Sequence, residues 1–277
     1  MPHQQALCSE KFMYFRTATF FLHKQIFPIA MNFAVCLNQV PDTSARIKIS
    51  SDHQQIEKDG INFVINPYDE FALEEALKWR EKFGGSVVLF SVGGDEFQAN
   101  IRKAFAMGAD KAVLIKSAAK DAYTIAVVLA EAIKKYFGGL PDMIFLGKES
   151  TDFNDAQVGP MLGELLQIPA IMVAVGLQTD GKVASVEREI EGGKEIVEAP
   201  LPLIIGAQKG LNIPRVASMK GIMEAKKKPI EVMEIPAPEH AYATLVRLEK
   251  PPEKQAGKRV SSPAELVEKL HHEAHVI

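Results

Sequence analysis

From residue 31 onward the chain alternates short unbroken apolar runs with amphipathic stretches. The runs at 33–37, 86–91, 112–116, 143–146, 170–174 and 203–206 are apolar on nearly every position. That pattern predicts strands covered on both faces, because a half-wet strand would alternate. Between the runs, the spacing predicts helices near 67–83, 95–107, 121–137 and 155–166. The first of these places Ala72, Ala76, Trp79 and Phe83 on one face at steps of four and three. Asn66 is expected to cap it, Pro67 suits its first position, and Asp69 and Glu70 favour its positive end. Glu74 and Lys78, one turn apart, are expected to pair on its wet face. Glycine pairs at 84–85 and 138–139 stop two helices.

Apolar strands alternating with helices predict an α/β fold, a doubly wound and mainly parallel sheet. Its ligand should sit beyond the carboxyl ends of the strands, where the strand order reverses. The rhythm changes after Asp180. Residues 182–190 alternate, Glu191-Gly-Gly-Lys194 turns, and 195–198 returns, which predicts a β-hairpin. Beyond about Ile235 the chain becomes charged and rich in proline (Pro236, Pro238, Pro251, Pro252). This reads as an extended C-terminal arm over 236–277 with a short last helix, too poor in core residues to stand alone. The expected division is a leader over 1–30, an α/β domain over 31–235 and the arm.

Composition changes this picture little. The chain is 47% hydrophobic and 24% charged, with 32 basic against 35 acidic residues and a formal charge of −3. That argues for a folded domain and gives no support to nucleic-acid binding. Two cysteines make no disulfide framework, which points to a reducing cytoplasm. No apolar run is long enough to predict a membrane span. Residues 1–30 differ from the rest: Lys11, Arg16 and Lys24 stand against Glu10 alone, among six aromatic residues. That composition fits a mitochondrial targeting peptide or an upstream extension before a working start at Met31, and its irregular pattern favours the extension.

Three loops should meet at the carboxyl edge: 37–43, 92–95 and 147–159. The third runs Gly147-Lys-Glu-Ser-Thr-Asp-Phe-Asn-Asp-Ala-Gln-Val-Gly159 into a helix. Free amides at that helix start would seat a phosphate over Ala156 to Gly159. Asp152, Asn154 and Asp155 equally make an ordinary capped loop, and spacing does not choose between the two. There is no Walker loop and no Gly-x-Gly-x-x-Gly after the first strand. His271, His272 and His275 have a spacing open to metal, but a structural site needs more ligands, so cations at a helix C-terminus are the expectation. Cys36, inside a strand, reads as a small hydrophobe. Lys226, Lys227 and Lys228, with Lys209, Arg215 and Lys220, form a basic patch beside Met219 and Met223. It could be a solvated helix end or a steering surface for acidic partners.

Several segments together carry a resemblance. They are Cys36-Leu-Asn-Gln-Val-Pro-Asp-Thr43, Asn66-Pro-Tyr-Asp-Glu70, Ala106-Met-Gly-Ala-Asp110, Leu146-Gly-Lys-Glu149 and Asp155-Ala-Gln-Val-Gly-Pro160. The most specific are Val186-Glu-Arg-Glu-Ile-Glu-Gly-Gly193 and Asn212-Ile-Pro-Arg-Val-Ala-Ser-Met219 with Ile222-Met-Glu-Ala-Lys-Lys-Lys228. From about Met31 to the end, the chain resembles the beta subunit of electron transfer flavoprotein. The resemblance implies a Rossmann-like, adenine-nucleotide-binding domain in a heterodimer with an alpha subunit that holds the redox FAD. It implies AMP in this subunit, or a second FAD where the carrier bifurcates electrons from NADH. It also implies electron flow from acyl-CoA or other dehydrogenases to a quinone-linked acceptor oxidoreductase, and an arm that reaches around the alpha subunit.

Carried onto this sequence, the resemblance assigns nucleotide contacts to the Cys36 backbone, Asn66, Val92 and Gly93. It gives the phosphate to the amides of Ala156, Gln157, Val158 and Gly159, with Asp152 and Asp155 close by. Tyr68 matches a position facing the alpha-bound flavin. Arg215, Met219, Ile222, Met223, Lys226, Lys227 and Lys228 match the region that docks partner dehydrogenases, with Met219 as its apolar anchor. Asn38 stands where many members carry lysine, which moves phosphate binding further onto helix amides.

Overall fold

The computed structural model describes residues 30–253 and 256–277. The expectations for residues 1–29 lie outside the described residues. The chain enters with β1 (Met31–Cys36), then a small antiparallel ribbon of β2 (Gln39–Pro41) and β3 (Phe63–Ile65). There follow α1 (Pro67–Phe83), β4 (Gly85–Val92), α2 (Gln98–Met107), β5 (Lys111–Lys116) and α3 (Ala122–Phe137). Next come β6 (Met143–Gly147), α4 (Val158–Leu166), β7 (Ala170–Thr179), the hairpin β8 (Val183–Ile190) and β9 (Gly193–Pro200), and β10 (Leu203–Ala207). The last elements are α5 (Met219–Ala225), β11 (Glu231–Glu234) and α6 (Pro263–His272).

Nine strands form one sheet in the order β11-β5-β4-β1-β6-β10-β7-β8-β9. Every pairing from β11 to β7 is parallel, and β8 and β9 continue antiparallel. The chain walks from β1 outward through β4 to β5, then crosses by α3 to β6 on the other side of β1. The order therefore reverses between β1 and β6, where a crevice for a ligand is expected. Strand period sorts the core into two layers. Phe33 and Val35 of β1 belong to a core with Leu73, Leu77 and Ile101. Ala34 and Cys36 join Val128, Ile133 and Leu162 on the opposite face.

Four local features differ from the pattern reading. Asn66 does not cap α1 with its side chain. Its backbone carbonyl accepts the amides of Asp69 and Glu70 instead. Glu74 does not pair with Lys78, and both Glu74 and Glu75 are buried. Glu75 takes Lys78 Nζ and Trp79 Nε1, each at 2.8 Å. It lies three residues after Ala72 and four before Trp79, so it belongs to the apolar face and needs donors there. Helix α4 starts at Val158, later than expected, because Ala156 holds a left-handed φ of 54°. Finally, β11 is an edge strand with only Met233 buried, so it carries no apolar run to betray it.

The arm is tied down near its root. Asp121 caps α3 with one oxygen, taking Thr124 N at 2.9 Å. Its other oxygen takes the amides of Tyr242 at 2.7 Å and Ala243 at 3.1 Å. Tyr242 packs edge-on against Tyr123 at 4.8 Å. Further on, His53 and Leu248 exchange hydrogen bonds. No residue of α6 is buried, and Leu266 and Val267 are exposed.

Candidate functional site

The carboxyl edge at the order reversal is built around an acid that is read from sequence only as a helix-dipole partner. Asp69 is buried in the first turn of α1. Its Oδ1 accepts the amide of Gly147, at the end of β6, at 2.7 Å. Its Oδ2 accepts the amide of Asn38, just past β1, at 2.7 Å. One carboxylate thus bridges the ends of the two strands between which the order reverses. Burial pushes its pKa up to about 7, against hydrogen bonds from the Asn38 and Gly147 amides and the Asn66 side chain that lower it. Burial, with the Asp69 charge adding to it, pushes the neighbouring Cys36 thiol up as well, so that thiol stays protonated and inert.

Asn66 sits beside this bridge, 1% exposed. Its Nδ2 donates to the carbonyl of Glu149 at 2.9 Å, which fixes the amide's orientation. Its Oδ1 is buried with no protein partner. A buried acceptor left open in this way is costly unless a bound group fills it. Tyr68, half-buried, lies on the same first turn, with Lys148 Nζ 5.1 Å from its ring centre. Val92 ends β4 on the same edge, and Gly93, the next residue, donates its amide to the carbonyl of Ile115 at 3.0 Å.

The 148–157 loop ends in a turn shaped for an anion. Ala156 has a left-handed φ, and Gln157 follows at φ −97°, ψ −35°. Successive residues of opposite hand turn their amides to one side as a concave nest. No side chain caps α4, whose first residues are Val158 and Gly159. Their amides have no partner within the helix. Gly159 packs so closely that a Cβ would lie 2.6 Å from Met172 Cε. Asp152 and Asp155 are exposed, and the charge of Asp152 reaches Asp69. The structure therefore brings Cys36, Asn66, Val92, Gly93 and residues 155–159 to one edge of the sheet. Among the described residues no His, Cys, Asp and Glu side chains gather as a metal site. His275 Nδ1 pairs with the His271 carbonyl at 3.1 Å.

A family model for the electron transfer flavoprotein domain matches residues 54–238. The "Electron transfer flavoprotein subunit beta" of Bacillus subtilis (strain 168) is 41% identical over 262 residues, covering 89% of this chain and 100% of that relative. The "Electron transfer flavoprotein subunit beta, mitochondrial" of Arabidopsis thaliana is 34% identical over 258 residues, covering 89% and 100%. "Protein FixA" of Azotobacter vinelandii is 35% identical over 209 residues, covering 73% and 74%. The chain belongs to the electron transfer flavoprotein beta-subunit family. Its general role is therefore electron transfer. Among the described residues no helix is long and apolar enough to cross a membrane.

The residues singled out around α5 divide into two groups. Met219, Ile222 and Met223 are exposed there, as are Lys226 and Lys227. The other two basic residues of the motif turn inward. Lys228 Nζ donates to the carbonyl of Ala109 at 2.6 Å and lies 5.3 Å from the Phe105 ring centre. Arg215 pairs with Glu74 and Glu81 on α1. At the C-terminus of α5, Arg102 reaches Ala225 O at 2.6 Å, and the backbone amide of Lys227 takes Glu224 O at 3.0 Å. The pattern reads Asp69 and Glu74 only as local partners within α1, and it gives no sign of Arg102. Only Glu75, an acid in an apolar stripe, left a readable sign of buried polar work on α1.

Proposed function

We propose that this chain is the beta subunit of a heterodimeric electron transfer flavoprotein, and that it holds AMP at the carboxyl edge between β1 and β6. The observation that carries the reading is the open Asn66 Oδ1: buried, rigidly aimed by its Glu149 hydrogen bond, and without a donor. The exocyclic amine of adenine is such a donor. The Cys36 backbone, Val92 and Gly93 would line the ring. The amides of Ala156, Gln157, Val158 and Gly159 would take the phosphate through the nest and the helix start, needing no side-chain charge. Asp155, exposed in the loop that leads into this turn, would stand beside the bound nucleotide. AMP bound in this way stabilises the fold by mass action and stays off the electron path.

FAD, held mostly by the alpha subunit, supplies the electron storage when bound. No side chain of this chain needs to act as acid or nucleophile. Tyr68 faces that flavin, and the arm over 236–277 packs on the alpha subunit. Met219, Ile222 and Met223 meet the partner dehydrogenase, with Lys226 and Lys227 steering an acidic surface. The donor is an acyl-CoA or other dehydrogenase, and the acceptor a quinone-linked oxidoreductase. The subunit works in the cytoplasm, or in the mitochondrial matrix if residues 1–30 are a targeting peptide.

The test is anaerobic reduction of the purified heterodimer. Reduced acyl-CoA dehydrogenase should bleach the flavin absorbance, and NADH should leave it unchanged. Rapid bleaching by NADH, with a second FAD in place of AMP, would make the protein an electron-bifurcating oxidoreductase and overturn the carrier reading.

A further inference from the structure

The Glu74–Arg215 pair has no task in nucleotide binding. Glu74 lies on α1 with 7% of its side chain exposed. It accepts Arg215 Nε at 2.8 Å, Nη2 at 3.0 Å and the Arg215 backbone amide at 3.1 Å. Glu81, two turns along the same helix, takes Arg215 Nη1. Asn212 Nδ2 donates to Phe71 O and to Glu75 Oε2, both at 2.9 Å. The loop from 212 to 215 is thus bound to one helix through its polar side chains. The residues between and after them point the other way: Ile213 is 89% exposed and Val216 is 93% exposed. Aliphatic side chains this bare in a slack loop would fold down onto apolar neighbours. Here the polar residues occupy the inward positions and leave the apolar ones outward.

Burying Glu74 is a costly way to stabilise a domain. A well-packed apolar pair at such a place is often as stable or more so. What the ion pair supplies is direction, because the guanidinium fork matches a carboxylate in a single plane. We propose that Glu74 is a positioning residue. Through Arg215 it holds residues 212–218 as a preformed ridge, tipped by Ile213 and Val216, that seats in an apolar pocket of the electron-donating dehydrogenase. Lys220, Lys226 and Lys227 are exposed beside the ridge, so the matching pocket has an acidic rim. The ridge being ordered beforehand, docking does not have to order it. This inference rests on the docking reading of the α5 face and assigns Arg215 to the support, not to the contact.

The test uses the complete heterodimer, with medium-chain acyl-CoA dehydrogenase reduced by octanoyl-CoA as the donor. Glu74→Gln and Arg215→Met should raise the KM for the carrier about tenfold, with kcat and flavin content unchanged. Arg215→Lys should fall between them and wild type. Hydrogen exchange at the amides of 213–218 should speed up in Glu74→Gln while that of β10 stays as it was. Glu81→Gln, altered only at the exposed end of the clasp, gives a smaller shift of the same kind in a chain whose folding is not at risk. Ile213→Ala with Val216→Ala should raise KM equally while loop exchange stays slow. If Glu74→Gln leaves loop exchange or KM unchanged, the positioning role is wrong. If the donor fails to reduce wild type, or if Met219→Ala and the Ile213, Val216 pair all leave KM unchanged, the docking reading itself is wrong, and the exchange data still judge the clasp.

Discussion

The Asp69 carboxylate and the Gly147 amide meet at 2.7 Å, at the point where the sheet reverses its strand order. A Cβ on Gly147 would lie 2.6 Å from that same Asp69 oxygen and 2.6 Å from Tyr68 Cβ. Helix α1 therefore begins directly against the end of β6, and only a glycine lets it. Gly147→Ala should destabilise the domain by about 1–3 kcal/mol through overpacking. Gly139→Ala, where nothing lies within 4 Å, should change stability by less than about 0.5 kcal/mol. Urea unfolding followed by the single tryptophan, Trp79, measures both.

Asp69 also gives stability a pH dependence of unusual sign for an aspartate. Burial raises its folded-state pKa to about 7, above that of an unfolded aspartate. Protonation therefore favours the folded chain. The contribution is complete below about pH 4, declines as pH rises towards 7, and is lost above it. The stability of wild type minus that of Asp69→Asn should fall across this window and level off near pH 8. A difference that stays flat from pH 4 to 8 would contradict the assignment.

Asp121 holds two structures at once, so they can be separated. Its burial works against ionisation, yet hydrogen bonds from Thr124, Ala243 and Tyr242 bring its pKa down to about 2. The anchor's contribution is complete above about pH 4, declines as the pH falls from there, and is gone below about 2, so the arm should loosen across that window. Asp121→Ser keeps a cap for α3 but cannot reach the arm. Limited proteolysis should then cut 236–277 faster with little change in the urea midpoint. Asp121→Ala should in addition cost about 1–2 kcal/mol through the lost cap. Equal cleavage of all three proteins would show that the arm does not depend on this anchor.

Asn66→Ala removes the open acceptor and the bond to Glu149. AMP should bind ligand-stripped Asn66→Ala heterodimer about 2- to 12-fold more weakly, the worth of one neutral hydrogen bond. Calorimetric titration checks it, and unchanged affinity would remove Asn66 from the adenine's partners.

The fold class was legible because each parallel strand is a solid apolar run: 143–146 and 203–206 could hardly be anything else. Edge strand β11 escaped because one buried methionine makes no pattern. The pattern extends helix α4 back to Asp155 because that residue resembles a cap, whereas Ala156 takes a left-handed conformation that periodicity does not encode. The strand ends that converge on the site followed from the topology rule. The bridging of β1 and β6 by Asp69 did not, since a residue in a first helical turn is expected to serve its own helix. Likewise, the basic motif around α5 reads as one patch. Its division into inward Arg215 and Lys228 and outward Lys226 and Lys227 depends on acceptors supplied by distant segments, Glu74 and the Ala109 carbonyl.

The adenylate seat is tested most directly by releasing the small molecules from freshly purified heterodimer and weighing them by mass spectrometry. One AMP and one FAD per pair of chains is the expected result. A preparation that yields no adenine nucleotide beyond the single FAD would contradict the account, as would one that yields two FAD and no AMP.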